Sequence, residues 1–266
     1  MSLIYSTDIV TLADVTITNY STTEAVGHEA NNVLVLDNLG RDWRCADTDV
    51  DSGMYFDFGS DGADLAAIAL LDANFSKVQI IGSDDAVNWD DSADYDSGIV
   101  TISRNPYTGR YNVYINTAAM STREYVRVTV PTGASAVGRY TNTWKIGSVV
   151  MCYSVTELST GRDSMAPGAT QARLNPALSN GRLRPIKQGS LWRFEDIISF
   201  PTGAEADREE VLDLFTADDL NPGLLLYYNN GDTSEVYFGL KSPEFRSEYV
   251  MSGVCKPSSF KFMEYV

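Results

Sequence analysis

Hydrophobic and polar positions alternate over short distances along most of the chain. Runs rich in Val, Ile, Tyr, Phe and Thr are separated by clusters of Gly, Asn, Asp, Ser and Pro, a pattern typical of short strands joined by turns. The clearest runs are Asn32–Leu36, Met54–Phe58, Leu65–Leu71, Lys77–Ile81, Tyr111–Ile115, Tyr125–Val130 and Trp144–Met151. So many strands in about 120 residues predict a mainly-β sandwich or barrel.

Two of these runs also predict how their strands are buried. Between Tyr125 and Val130 the valines alternate with Arg127 and Thr129. We therefore expect the valines to face a core, and Arg127 and Thr129 to face solvent. Leu65–Leu71 is apolar on both faces, which is typical of a central strand buried between two layers.

The composition changes near Thr156. Residues 156–185 are polar, contain three prolines and show neither helical nor strand periodicity, so we interpret them as a linker or extended arm. Strands return beyond them, and Ala206–Phe215, capped by Thr202, is predicted to form a helix. The predicted organisation is an N-terminal arm (1–30), a β-sandwich (31–155), the linker (156–185) and a small, β-rich α+β module (186–266).

The charge balance narrows the classes of partner. The chain has 20 Lys and Arg against 36 Asp and Glu, for a net charge of −16. This charge argues against nucleic acid and anionic membranes as partners, and no apolar run is long enough to span a bilayer. The start of the chain lacks the pattern of a signal peptide. Three widely spaced cysteines are typical of thiols made in a reducing compartment.

Catalysis has little support in the sequence. One histidine is present in 266 residues, which removes most routes to His-based catalysis and to zinc sites with several imidazoles. His28 itself lies in a polar stretch near Glu24 and Glu29, and we interpret it as an isolated surface side chain. No G-x-S-x-G element and no glycine-rich phosphate loop occurs. We therefore predict that the protein is not an enzyme.

Several segments follow an order shared with a known family. NNVLVLDNLGRDWRC is followed by MYFDFGSDGADLAAIALLDANF, KVQIIGSDDAVNWDD, REYVRVTV and WKIGSVVMC. This order resembles the discoidin-type, galactose-binding-like jelly roll of coagulation-factor C-type domains and many carbohydrate-binding modules. Ala86 stands where the family has a glycine, and the cysteine pair of extracellular members is absent. The resemblance implies a jelly roll over residues 31–155.

A second resemblance concerns the style of the whole chain. The opening MSLIYSTDIVTLADVTIT, together with a second β-rich module, is similar to minor tail and other structural proteins of tailed bacteriophages. It implies a virion protein of the tail tip or baseplate, made in the host cytoplasm, that contacts copies of itself and other virion proteins. The alternative is a carbohydrate-binding module that recognises host cell-surface glycans.

Two groups of residues are candidate sites. Arg41, Trp43 and Arg44 follow the first strand of the sandwich, and in carbohydrate-binding jelly rolls an exposed aromatic side chain stacks on a sugar while Arg and Asp bond its hydroxyls. The alternative is that Trp43 plugs one end of the barrel while Arg44 pairs with a loop aspartate.

The other group is acidic. DTDVDSG at Asp47–Gly53 resembles the start of a calcium loop, but its glycine comes one place late and the twelfth position carries no Glu, so it is not an EF-hand. A structural calcium ion is one interpretation. Solvated acidic loops that keep a β-protein soluble are the other. We favour the second, and expect no cofactor.

Overall fold

A computed structural model gives the fold of the chain. It describes residues 2–20, 24–36, 41–45, 51–85, 94–137, 143–158, 168–174, 186–198, 203–204, 223–229, 231–241, 247–251, 254–257 and 260–265. These residues form strands and one 3₁₀ helix, Ala30–Leu34, so the prediction of a strand at Asn32–Leu36 is wrong. No helix among them is both long enough and apolar enough to cross a membrane.

The strands are numbered in chain order. Up to residue 158 they are β1 (Ser2–Ser6), β2 (Thr16–Asn19), β3 (Trp43–Cys45), β4 (Ser52–Asp57), β5 (Ala67–Ala73), β6 (Lys77–Ser83), β7 (Tyr95–Asp96), β8 (Val100–Thr101), β9 (Ser103–Arg104), β10 (Tyr111–Asn116), β11 (Tyr125–Val130), β12 (Trp144–Ile146), β13 (Ser148–Cys152) and β14 (Thr156–Leu158). The later strands are β15 (Gly168–Leu174), β16 (Ile186–Ile198), β17 (Gly203–Ala204), β18 (Gly223–Asn229), β19 (Val236–Lys241), β20 (Ser247–Met251), β21 (Val254–Pro257) and β22 (Phe260–Glu264).

Two antiparallel sheets form a sandwich. One has six strands, in the order β2-β4-β11-β6-β7 with β8 also paired to β6, and the other has the order β13-β5-β10-β9. Between them lies one apolar core, to which β4, β5, β6, β10, β11 and β13 all contribute buried side chains. The predicted mainly-β sandwich is confirmed.

The alternation in β11 is confirmed for its valines. Val126, Val128 and Val130 are buried in the core. Arg127 is half-buried on the opposite face, but the expectation for Thr129 is wrong, because it is also buried. Thr129 is buried because Tyr20 covers this face of β11. The Tyr20 hydroxyl lies beside Thr129, and the centroid of the Tyr20 ring lies 5.6 Å from Arg127 Cζ.

The four-stranded sheet is a middle layer, buried on both faces. In β5, Ile68 and Leu70 face the sandwich core, whereas Ala67, Ala69 and Leu71 pack with side chains of β1, β18 and β19. Those strands belong to a seven-stranded antiparallel sheet with the order β14-β1-β18-β19-β22-β16-β15. The prediction of a central strand at Leu65–Leu71 is therefore confirmed.

Two segments that the sequence presents as arms contribute strands. Within residues 1–30, β1 pairs with β14 and β18, and β2 pairs with β4. Within residues 156–185, β14 and β15 pair with β1 and β16. Both were misread because their order comes from partner strands distant in sequence, which local periodicity does not reveal. The predicted helix Ala206–Phe215 lies outside the described residues.

Candidate functional site

The short strand β3 places the sequence-predicted site residues on opposite sides of the backbone. It pairs with β12, so that Trp43 lies opposite Ile146 and Arg44 opposite Lys145. Trp43 and Cys45 point into the sandwich core, whereas Arg44 is half-buried on the other face. Trp43 is 0% exposed, so its proposed stacking on a sugar is wrong. Arg41 is exposed at the entrance to the strand.

Asp42 is the centre of the charged groups at this end of the sandwich. Its carboxylate is only 2% exposed. His28 Nδ1 donates to Asp42 Oδ1. Arg44 donates through Nε to both oxygens, at 3.1 and 3.2 Å, and through Nη2 to Oδ2 at 3.0 Å. A carboxylate taken out of water requires such charged and hydrogen-bonding partners.

Lys145 links Asp42 to a second carboxylate. Its Nζ lies 3.6 Å from Asp42 Oδ2 and 2.5 Å from Asp72 Oδ2. Asp72 has a φ of +54°, in the left-handed region that Asp tolerates better than most residues. Its backbone N–H donates to Asn112 Oδ1 at 2.9 Å. We call His28, Asp42, Arg44, Asp72 and Lys145 the Asp42 cluster.

The loop that carries His28 is held against β3 by its backbone. Ala25 N–H donates to Arg44 O at 3.0 Å, and Arg44 N–H donates to His28 O at 3.1 Å. Asn32 Nδ2 donates to the Asp42 carbonyl at 3.2 Å, and Glu24 accepts from the Ala30 N–H. These bonds hold the loop that carries His28 against the strand that carries Asp42 and Arg44.

The arrangement determines which atom of His28 faces a ligand. A carboxylate is only an acceptor, so the bond to Asp42 requires a proton on Nδ1. In the neutral ring Nε2 then carries the lone pair and acts as an acceptor. The His28 side chain is 29% exposed and that of Arg44 is 26% exposed. The partly exposed imidazole and guanidinium therefore share one buried carboxylate.

The sequence predicted part of this site. It identified Arg44, and its alternative, in which Trp43 plugs one end of the barrel and Arg44 pairs with a loop aspartate, agrees with the buried Trp43 and the Arg44–Asp42 ion pair. A role of Arg41 in glycan binding stays a prediction. The interpretation of His28 as an isolated surface side chain is wrong. Asp72 and Lys145 gave no local signal. The pairing of β12 with β3 brings in Lys145, and Asp72 lies on β5, which pairs with β13, the strand that follows β12.

The candidate calcium loop is only partly within the described residues, since 46–50 lie outside them. Among the described residues, no group of three or more His, Cys, Asp or Glu side chains is placed to hold a metal ion. A structural calcium ion therefore stays the less favoured of the two interpretations of the sequence.

No protein-family model and no curated protein matches the chain. Solved structures that it resembles include chitosan-binding module 1 of a chitosanase/glucanase from Paenibacillus sp. IK-5, at 17% identity and a TM-score of 0.37, over 55% of this chain and 97% of the module.

Another is CpGH89CBM32-4 from Clostridium perfringens, solved in complex with GlcNAc-α-1,4-galactose, at 12% identity and a TM-score of 0.35, over 54% of this chain and 93% of that one. Discoidin II from Dictyostelium discoideum has 12% identity and a TM-score of 0.39, over 97% of this chain and 91% of discoidin II. All three TM-scores lie below 0.5.

Proposed function

We propose that the protein is a carbohydrate-binding module and that the Asp42 cluster, with Arg41 beside it, is the site that holds the sugar. The observation that carries the proposal is the hydrogen bond from His28 Nδ1 to the buried Asp42 carboxylate. That bond fixes both the orientation and the tautomer of a half-exposed imidazole.

The chemistry of the cluster suits a sugar hydroxyl. A sugar hydroxyl donates one hydrogen bond and can also accept hydrogen bonds. His28 Nε2 offers the acceptor, and Arg41, an exposed cation next to Asp42 in sequence, offers donors. Polar groups that are already held in place lose little conformational freedom when a ligand binds, which raises affinity.

Aromatic stacking has no part in this proposal, because Trp43 lies in the core. Recognition would depend instead on hydrogen bonds from charged groups, each worth about 1.5–3 kcal/mol, or roughly ten- to a hundredfold in affinity. The ligand that fits is a hydroxyl-rich glycan with adjacent hydroxyls, one reaching His28 and the other Arg41.

The test is a glycan array followed by titration calorimetry on the full chain. The wild type should give saturable binding to at least one glycan, and His28→Ala and Arg41→Ala should each weaken that binding about tenfold or more. Lys77→Ala is the matched control, because Lys77 is a half-buried cation on β6, outside the cluster. Binding that survives both site variants, or no saturable binding to any glycan, would contradict the proposal.

The virion role has no specific observation in its favour among the described residues. None of the solved structures named above is described as a virion protein. The place of the protein in a phage tail, and its lack of catalytic activity, stay predictions of the sequence. A glycan-binding module on a phage tail would satisfy both interpretations.

A further inference from the structure

The strands β15 and β16 form a two-stranded ribbon that extends beyond the seven-stranded sheet. Gly168 lies opposite Glu195 at its base, and Leu174 lies opposite Ile186 at the other end. Strand β22 pairs with β16 only over Glu195–Ile198. In the described part of the chain, residues 186–193 therefore pair only with β15, and the outer edge of β15 pairs with no strand. At about 3.4 Å per residue, the ribbon is roughly 25 Å long.

The base of the ribbon is anchored in the body of the protein. Phe194 is buried, its ring stacks on Tyr237 with centroids 3.8 Å apart, and its N–H donates to Glu264 Oε2 at 2.9 Å. The direction in which the ribbon leaves the sheet is therefore fixed by packed side chains. Such a pre-oriented element loses less freedom on docking than a free segment does.

The ribbon has the opposite charge to the rest of the chain. Its described residues, 168–174 and 186–194, contain no acid and three basic residues, Arg173, Lys187 and Arg193. Their net charge is +3, so the remaining residues carry −19 of the total of −16. A single chain thus holds a basic ribbon on an otherwise acidic molecule, which is the condition for electrostatic attraction between copies.

An acidic edge lies on the other outer layer of the molecule. It consists of Asp57, Asp84, Asp94, Asp96 and Glu124, at one end of the six-stranded sheet. Asp84 and Asp94 are 51% and 46% exposed, and both pair with the single cation Arg123. The neighbouring carboxylates, Asp57 first, raise the pKa of the exposed Tyr125 hydroxyl, which is the effect expected of negative charge that is incompletely neutralised.

We propose that the basic ribbon of one copy docks on the acidic edge of a second copy of this chain. In one chain, the four-stranded sheet separates the layer that bears the ribbon from the layer that bears the acidic edge. Each copy then donates its ribbon to one neighbour and accepts a ribbon from another. Such head-to-tail contacts build a ring if the rotation closes and a filament if it does not. This assembly is independent of sugar binding at the Asp42 cluster.

Sedimentation velocity of the full chain tests the proposal. The wild type should sediment at two or more chain masses in about 0.05 M salt and at one chain mass in about 1 M salt, where screening is nearly complete within a few ångströms. Arg173→Glu combined with Lys187→Glu should give one chain mass at low salt, and so should Asp84→Lys combined with Asp94→Lys. Mixing these two charge-reversed proteins should restore a complex. The acidic ribbon of the first variant then matches the basic edge of the second, and the basic ribbon of the second matches the acidic edge of the first.

Arg104→Glu, an exposed charge reversal on β9 outside the ribbon, is the matched control and should leave the assembly intact. Thermal melts of each variant establish that it folds. A wild type at one chain mass in low salt, an assembly that ribbon reversal leaves unchanged, or a mixture that stays monomeric would each overturn the proposal. If the monomeric wild type instead binds immobilised polyglutamate through the ribbon, its partner is another polyanion and self-association is refuted.

Discussion

Arg110 and Glu264 form a buried ion pair that joins the sandwich to the seven-stranded sheet. Arg110 Nη1 lies 2.9 Å from Glu264 Oε1, and the two side chains are 4% and 1% exposed. Arg110 immediately precedes β10 of the middle sheet, and Glu264 is the last residue of β22. Nearby, Asn105 and Asn112 donate to the carbonyls of Ser234 and Val236. The interface between the two layers therefore combines apolar packing with directional polar contacts.

Removing one charge of this pair should destabilise the whole fold. In Glu264→Gln the Arg110 guanidinium loses its buried counter-charge, and such losses typically cost about 3–5 kcal/mol. The free energy of unfolding, measured by urea titration, should fall by this amount in one transition. The double variant Arg110→Met with Glu264→Gln should lose less than Glu264→Gln alone, because no unpaired charge remains. Equal or larger loss in the double variant would contradict this account.

Gly147 should be irreplaceable for the Asp42 cluster. A Cβ at this position would lie 2.9 Å from both Asp72 Cβ and the Leu71 carbonyl oxygen. Gly147→Ala must therefore move Asp72, which holds Lys145, at a cost of about 1–3 kcal/mol of stability. We expect glycan affinity to fall along with the urea midpoint. An alanine variant with wild-type stability would show that the β12–β13 junction has more room than the structure gives it.

The protein should lose stability in alkali. Burial raises the pKa of the Cys152 thiol from 9.0 to about 12, and burial also raises the pKa of the Tyr20 hydroxyl from 10.0 to about 12. The unfolded chain releases both protons at a lower pH than the folded chain does. Their stabilising effect is therefore complete below about pH 9 and is lost as the pH rises towards 12.

Urea titrations at about pH 8 and about pH 10.5 check this expectation. The free energy of unfolding should be lower at the higher pH by roughly 3 kcal/mol from these two groups, about 2 kcal/mol of it from Cys152. In Cys152→Ala the difference between the two pH values should be smaller than in the wild type by about 2 kcal/mol. The same difference in the variant and the wild type would rule out the thiol as the source.

The sandwich could be predicted from the sequence because the strands that supply most of its core, β4, β5, β6, β10, β11 and β13, all contain apolar runs. The sequence also identified β5 as a central strand, since both of its faces are apolar. It does not reveal the seven-stranded sheet, because β1, β14 and β15 are short or polar and gain order only from distant partners. The same reason explains the site: Arg44 and Asp42 are neighbours in sequence, whereas His28, Asp72 and Lys145 reach them through loops and strand pairing.

The pairing of β1 with β18 has a consequence for how the protein is made. Leu3 lies opposite Tyr228, so β1 finds this partner only after more than two hundred further residues have been synthesised. Contacts of such long sequence separation slow folding, because the closure of a long loop must precede them. The sandwich strands, whose partners come earlier, are able to pair during synthesis. The seven-stranded sheet, and with it the base of the ribbon, is completed only after β22, which ends at Glu264, has been synthesised.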